Sequence, residues 1–149
     1  MNLFLNNLAE VKISYSTKVS SKDRPRVRCS RDAYNNSKLV FPNLEHREYF
    51  YVLLINRQNQ ILGFNQISMG GISGTTVDIR LIFQVALKAN ASAMILVHNH
   101  PSGNLNPSEA DKKITSKIVD GGKLLDISIL DHVIISEESY FSFADQNLI

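Results

Sequence analysis

Apolar positions along this chain follow two rhythms. Glu48 heads the nearly uninterrupted apolar run Tyr49 to Ile55, and Met94 to Val97 is a second such run, as expected of strands covered on both faces. The spacing predicts a strand over 48–55, a polar turn at Asn56 to Asn59 and a second strand over 61–68, joined as a hairpin. The other rhythm follows the Gly70-Gly71 to Gly74 loop. There Leu81, Ile82, Val85, Ala86 and Ala89 recur at helical spacing, predicting a helix over 77–88 with Thr76 as its cap and Asn90 as its stop. A strand over 94–100 comes next. After it a helix is expected from Glu109 to Val119, with Ile114, Ile118 and the stem of Lys117 facing inward and Gly121-Gly122 ending it. Strands over 124–130 and 132–135, a turn over 136–139 and a short strand over 140–143 complete an alternating α/β pattern. No repeat or low-complexity segment interrupts it.

One part of this pattern carries chemistry. Side chains alternate along a strand, so His98 and His100 leave the end of the 94–100 strand on one face while Asn99 points the other way. Pro101 stops the ladder, and Ser102-Gly103-Asn104 with Asn106-Pro107 spells a loop that turns the chain back. Ser108 is a good N-cap. Asp111 then falls at the third helical position, from which its carboxylate can lean toward the strand end. Taken singly, a histidine is usually structural and Ser-x-x-Asp usually only caps a helix. Brought together, two imidazoles and a carboxylate form the three-ligand set of a catalytic zinc, with the fourth tetrahedral position left for water.

His98-x-His100, seven residues, Ser108, two residues and Asp111 resembles the JAMM signature of JAB/MPN-type zinc metalloproteins. The longer string HNHPSGNLNPSEAD is similar to the RadC-like bacterial branch of that superfamily. The similarity runs from Glu48 to Ala144, about two thirds of the chain, and includes Asp131-His132-Val133-Ile134 and Tyr140-Phe141-Ser142-Phe143. It implies an α/β JAB/MPN (cytidine-deaminase-like) three-layer fold, a mixed sheet with flanking helices. It also implies one Zn2+ per chain on His98, His100 and Asp111, Glu48 as general base, and Ser108 at the reacting carbonyl. The activity implied is hydrolysis of amide or isopeptide bonds in a protein or peptide. RadC-like members carry an old DNA-repair label, so a link to repair or mobile elements comes with the resemblance. The alternative is a noncatalytic module, DNA-associated or protein-docking, that keeps the metal as a structural element.

Two departures qualify the resemblance. Full-length RadC-like chains resemble a helix-hairpin-helix unit joined to the JAMM domain, and no stretch before Glu48 fits such a unit, which weakens direct DNA docking. Where relatives tend to have His-Pro, this chain has Asp78-Ile79 before Arg80.

Composition changes the picture only modestly. At 149 residues and 44% hydrophobic, one compact core is expected. We divide the chain into a basic N-terminal segment, 1–37, part of or packed on the domain, and a RadC-like JAB/MPN domain, 38–149. Cys29 stands alone, excluding an internal disulfide and fitting a reducing cytoplasm. No stretch suits a membrane span or a leader, so a cytoplasmic protein without membrane partners is expected. A homo-oligomer is compatible with all of this.

The net charge of +2 is uneven. Seven bases through Ser37 (Lys12, Lys18, Lys22, Arg24, Arg26, Arg28 and Arg31) face only Glu10, Asp23 and Asp32, so this part carries +4 and the remainder −2. Arg24, Arg26 and Arg28 would line one side of an extended segment, to meet phosphates or an acidic surface or to keep a strand edge from pairing. No aromatic residues interleave with them, so at most weak, nonspecific nucleic-acid binding is expected.

Other metal classes fail on residues. His46-Arg47-Glu48 matches half of a deaminase signature, but the Pro-Cys-x-x-Cys half cannot exist with one Cys. No His-Glu-x-x-His occurs, and the letters His98-Asn99-His100 match the HNH nuclease name by coincidence. The Gly70 loop lacks both GxGxxG and a P-loop Lys. Among the remaining candidates, Glu45 rivals Glu48 as base and His46 reads as exposed. His132 reads as structural, with Asp131 or a backbone carbonyl orienting its ring; a role behind a metal ligand is its lesser reading.

Overall fold

A computed structural model describes residues 8–70 and 76–149. The expected Gly70–Gly74 loop falls largely outside these residues. The elements run α1 (Ser30–Lys38), β1 (Tyr49–Ile55), β2 (Ile61–Met69), α2 (Ile79–Lys88), β3 (Ala93–Asn99), α3 (Glu109–Leu125), β4 (Ser128–Ile135) and β5 (Tyr140–Ser142). The sheet order is β2-β1-β3-β4-β5. The β3–β4 pair is parallel, bridged by α3, and the other neighbouring pairs are antiparallel.

Strand alternation divides the core into two layers of side chains. Tyr51, Leu53 and Ile55 of β1 and Ala93, Ile95 and Val97 of β3 face α1, where Ala33 and Tyr34 meet them. Phe50, Val52 and Leu54, with Met94 and Leu96, face α2 and α3 through Ile82, Phe83, Ala86 and Ile118. Every residue of β1 and β3 is buried, which accounts for their continuous apolar runs. This is the mixed sheet with helices on both faces that the resemblance implies. His98, in register with Phe50, lies on the α3 face.

Four local expectations need correction. The cap of α2 is Asp78, not Thr76: its carboxylate accepts the Arg80 amide at 2.9 Å and pairs with the Arg80 guanidinium at 2.9 Å. The departure from His-Pro therefore supplies a helix start. Gly121-Gly122 does not end α3, which runs to Leu125 and closes at Asp126 in the left-handed region, φ 56°. These glycines serve close packing instead. A Cβ on Gly121 would stand 2.8 Å from Phe83 Cε2, and one on Gly122 would run into the Ile127 carbonyl oxygen. Third, the expected strands 124–130 and 132–135 are one strand that starts later: residues 124–127 are outside it, and β4 begins at Ser128 and passes through Asp131 without a break. Asp131 is accommodated because its carboxylate accepts from the His132 and Ala144 amides and the Ser142 hydroxyl, at 2.7, 3.0 and 2.6 Å. Fourth, the periodicity gave no sign of α1. It starts within the basic segment and crosses its 37/38 boundary, and Tyr34 packs into the core with its hydroxyl on the Ser136 and Glu137 carbonyls.

The three arginines are not a uniform stripe. Arg26 forms a bridge with Gln60 at the β1–β2 turn, Arg28 pairs with Asp32 at 3.2 Å, and Arg24 is half-buried. The Arg28 amide and guanidinium hold the Asp32 carboxyl below the usual carboxylate range. Among the described residues no helix is long and apolar enough to cross a membrane.

Candidate metal centre

The end of β3 and the start of α3 converge as the spacing requires. Ser108 Oγ accepts the Asp111 amide at 3.0 Å, and Asp111 Oδ2 accepts the Ser108 amide at 2.8 Å, a reciprocal capping box. That box turns the Asp111 carboxylate back toward the strand. Its oxygens lie 3.3 Å from His98 Nε2 and 3.2 Å from His100 Nε2, and the two Nε2 atoms are 3.0 Å apart. Ligands about 2.0–2.1 Å from a tetrahedral zinc stand about 3.3 Å from one another. The three observed separations fit that edge.

Protons are placed to suit a cation. His100 Nδ1 lies 2.7 Å from the Asn104 carbonyl, which can only accept, so Nδ1 carries a proton and, in the neutral ring, Nε2 presents a lone pair. His98 reaches the same state by a longer route. Its Nδ1 is 2.7 Å from His132 Nε2, His132 Nδ1 is 2.6 Å from Thr115 Oγ1, and the Thr115 hydroxyl donates to the Asp111 carbonyl at 2.6 Å. His132 is 0% exposed and lies against Phe50 and Phe143. Burial, then the neighbouring His98, pushes its pKa well below the ordinary value, so it is neutral. Burial also pushes Asp111 up, but the facing His100 and His98 imidazoles and the Ser108 amide prevail and hold it well below the usual carboxylate range. The Asp111 carboxylate in turn raises His100, because it favours a proton on Nε2, the position a metal would take. With both rings neutral, two imidazole lone pairs and an ionised carboxylate face one another, a set that one positive charge, proton or metal, satisfies.

Glu48, His98 and His100 also offer ligand atoms within 4.8 Å of one another. Glu48 Oε1 is 3.8 Å from His100 Nε2, farther than either Asp111 oxygen is from its imidazole. Its rival Glu45 is exposed, its amide turned to Asn43. Placement of Glu48 depends on a residue to which the sequence pattern assigned no role. Asn99, 0% exposed, donates to the Leu44 and Arg47 carbonyls at 2.7 and 2.8 Å and accepts the Tyr49 amide at 2.8 Å. The residue between the two histidines therefore holds the segment that carries Glu48. Its polar identity inside an apolar strand was the signal. His132 also departs from its favoured reading: Asp131 takes only its backbone amide, and its ring bonds His98 and Thr115. His46 is exposed, as expected.

Beside the centre lies a cleft of about 270 Å³. Glu48, His98 and Asp111 meet Phe50, Val77 and Ile114 there, with Lys113 and Lys117 at its border.

The RadC-like JAB domain family matches residues 27–148. The chain belongs to this family. The match begins ahead of Glu48 and takes in α1. A UPF0758 protein of Flavobacterium johnsoniae is 47% identical over 123 residues, 83% of this chain and 53% of that protein. UPF0758 proteins of Chlorobaculum tepidum and Porphyromonas gingivalis are 40% and 39% identical, over 83% and 90% of this chain and 55% and 60% of their own lengths. This RadC-like JAB chain thus spans a little over half the length of these curated relatives.

Proposed function

We propose that this chain is a zinc-dependent hydrolase of amide or isopeptide bonds, with His98, His100 and Asp111 as ligands of one Zn2+ per chain. The observation that carries the reading is the convergence of two imidazole Nε2 atoms and one carboxylate at tetrahedral-edge spacing. Bound there, zinc would polarise a carbonyl and lower the pKa of a water to about 7. The rest is done by the chain. Glu48, not needed as a ligand, accepts a proton at its carboxylate and returns it to the leaving nitrogen. Its side chain is only 12% exposed, so bulk water competes little for that proton. The Ser108 hydroxyl receives the Asp111 amide in the cap and retains its own proton to steady an oxyanion. Phe50, Val77 and Ile114 offer an apolar wall to the substrate chain. A protein or peptide is the substrate class. Nucleic-acid contact is at most weak, because Arg28 is already paired with Asp32.

Metal analysis of purified protein tests the reading, together with a screen of peptide and ubiquitin-like isopeptide substrates. His98→Ala, His100→Ala and Asp111→Ala should each lose most of the zinc. Glu48→Gln should keep it and lose hydrolysis by at least about 10²-fold. Full zinc in all three ligand variants, or an active Glu48→Gln, overturns the proposal.

A further inference from the structure

We propose that Thr115 and His132 are positioning residues that select the tautomer of His98 and thereby set the affinity of the centre for metal. This rests on the metal reading above. The geometry leaves one arrangement of protons. Thr115 Oγ1 and the Asp111 carbonyl oxygen are 2.6 Å apart, a separation that needs a proton between them, and only the hydroxyl can supply it. With its hydrogen so placed, Thr115 must accept from His132 Nδ1 at 2.6 Å. His132 is wholly buried against Phe50 and Phe143, and its ring nitrogens meet only Thr115 and His98, so no carboxylate bonds a second proton. With its one proton on Nδ1, its Nε2 is bare and must accept from His98 Nδ1 at 2.7 Å. In the neutral His98 ring, the form that binds a metal, Nε2 is then left without a hydrogen, facing His100 and Asp111.

An imidazole in this place differs from the usual partner of a histidine ligand. A carboxylate or carbonyl behind the ligand can only accept, so it fixes the ligand's tautomer by itself. His132 accepts only while its own proton stays on Nδ1, and Thr115 is what keeps it there. Without the hydroxyl, His132 is free to carry its proton on Nε2. That N–H would point at His98 Nδ1 and drive the His98 proton to the atom that should bind metal. Control of the ligand therefore lies in a hydroxyl that touches neither metal nor substrate. The relay also joins three elements: His98 on β3, His132 on β4, and Thr115 on α3, one turn after Asp111.

The experiment combines zinc competition against a fluorescent chelator with imidazole nitrogen–proton NMR on protein labelled at histidine. In the metal-free wild type, His98 and His132 should both show the Nδ1–H tautomer. Thr115→Val should weaken zinc by roughly 10–100-fold and give His132 an Nε2–H population, while Thr115→Ser restores affinity to within about threefold. His132→Phe, filling the space between Phe50 and Phe143 without an acceptor, should weaken zinc as much as Thr115→Val. An Nε2–H His132 in the wild type, or undiminished zinc affinity in a folded Thr115→Val, overturns the proposal. The wild-type spectrum decides between the tautomers even if Thr115→Val does not fold. Should the wild type take up no zinc, the hydrolase reading falls, and the same spectrum still decides the arrangement of protons.

Discussion

Asn99→Asp is the sharpest test of how the fold serves this centre, because it changes one group and almost no volume. The oxygen that accepts the Tyr49 amide is kept. The two N–H donors are lost, and a second oxygen comes to face the Leu44 and Arg47 carbonyls, now 2.7 and 2.8 Å from the amide nitrogen. Each buried carbonyl left without a donor costs about 1–3 kcal/mol, so about 2–6 kcal/mol should be lost. That is a large share of the about 5–15 kcal/mol that holds a typical domain folded. Protonating the new carboxyl restores one donor, so its folded pKa lies above its unfolded one. The folded state then binds more protons than the unfolded state, and stability falls as pH rises through that raised value. Urea unfolding in chelator, at about pH 5 and about pH 8, should show the larger loss at the higher pH. Because Asn99 faces away from the two imidazoles, the folded variant should keep near wild-type zinc affinity while hydrolysis drops as Glu48 loses its support. A loss below about 1 kcal/mol at the higher pH, or the opposite pH trend, would refute the reasoning.

Three further changes probe separate parts. Alanine normally gains about 1 kcal/mol over glycine within a helix, but Gly122→Ala should lose about 1–2 kcal/mol because its methyl meets the Ile127 carbonyl; Gly121→Ala, which meets only a ring edge, should be near neutral by urea unfolding. Burial raises the Asp131 pKa against its hydrogen bonds from Ser142, Ala144 and His132, so the folded state binds the extra proton. In chelator, wild type should therefore gain stability relative to Asp131→Asn as pH falls through the window just above about 4, and a relative loss there would show that the hydrogen bonds dominate. Ser108→Ala should cost about 1 kcal/mol through the cap and about 10²-fold in rate, whereas Ser108→Asn should recover stability without recovering rate; parallel recovery would limit Ser108 to the cap.

Periodicity located β1, α2 and β3 because each buries large apolar side chains, and β2, whose Ile61, Leu62 and Ile67 are only partly buried, because the polar turn after β1 returns the chain beside it. The centre was legible for a related reason: a strand's alternation and a capping box are local rules, and together they bring His98, His100 and Asp111 to one point. What escaped depends on distant partners. The buried residues of α1 are Ala33, Tyr34 and Ser37, too small or polar a set to mark a helix, and Ser37 satisfies its hydroxyl on the Ala33 carbonyl. Gly121-Gly122 reads as a stop unless Phe83 and Ile127 are known to press against it. Asp131 reads as a break unless Ser142 and the Ala144 amide are known to meet it. Thr115 looked like an ordinary helix residue, because its partner His132 lies on another element.

Asp111 Oδ2 receives the Ser108 amide and also faces His100, so one oxygen both closes the first turn of α3 and takes part in the centre. Were a metal bound there, local opening of that turn and its departure would be the same event seen from two sides. A cation held at 100 times its dissociation constant would add about 2.7 kcal/mol of protection to whatever must open to release it. The extra protection against amide hydrogen exchange should be concentrated at Asp111 and Lys112, whose amides go to the Ser108 side chain and carbonyl, while amides near Leu125 exchange as before. The start of this helix would thus report, at the backbone, whether the ion is in place.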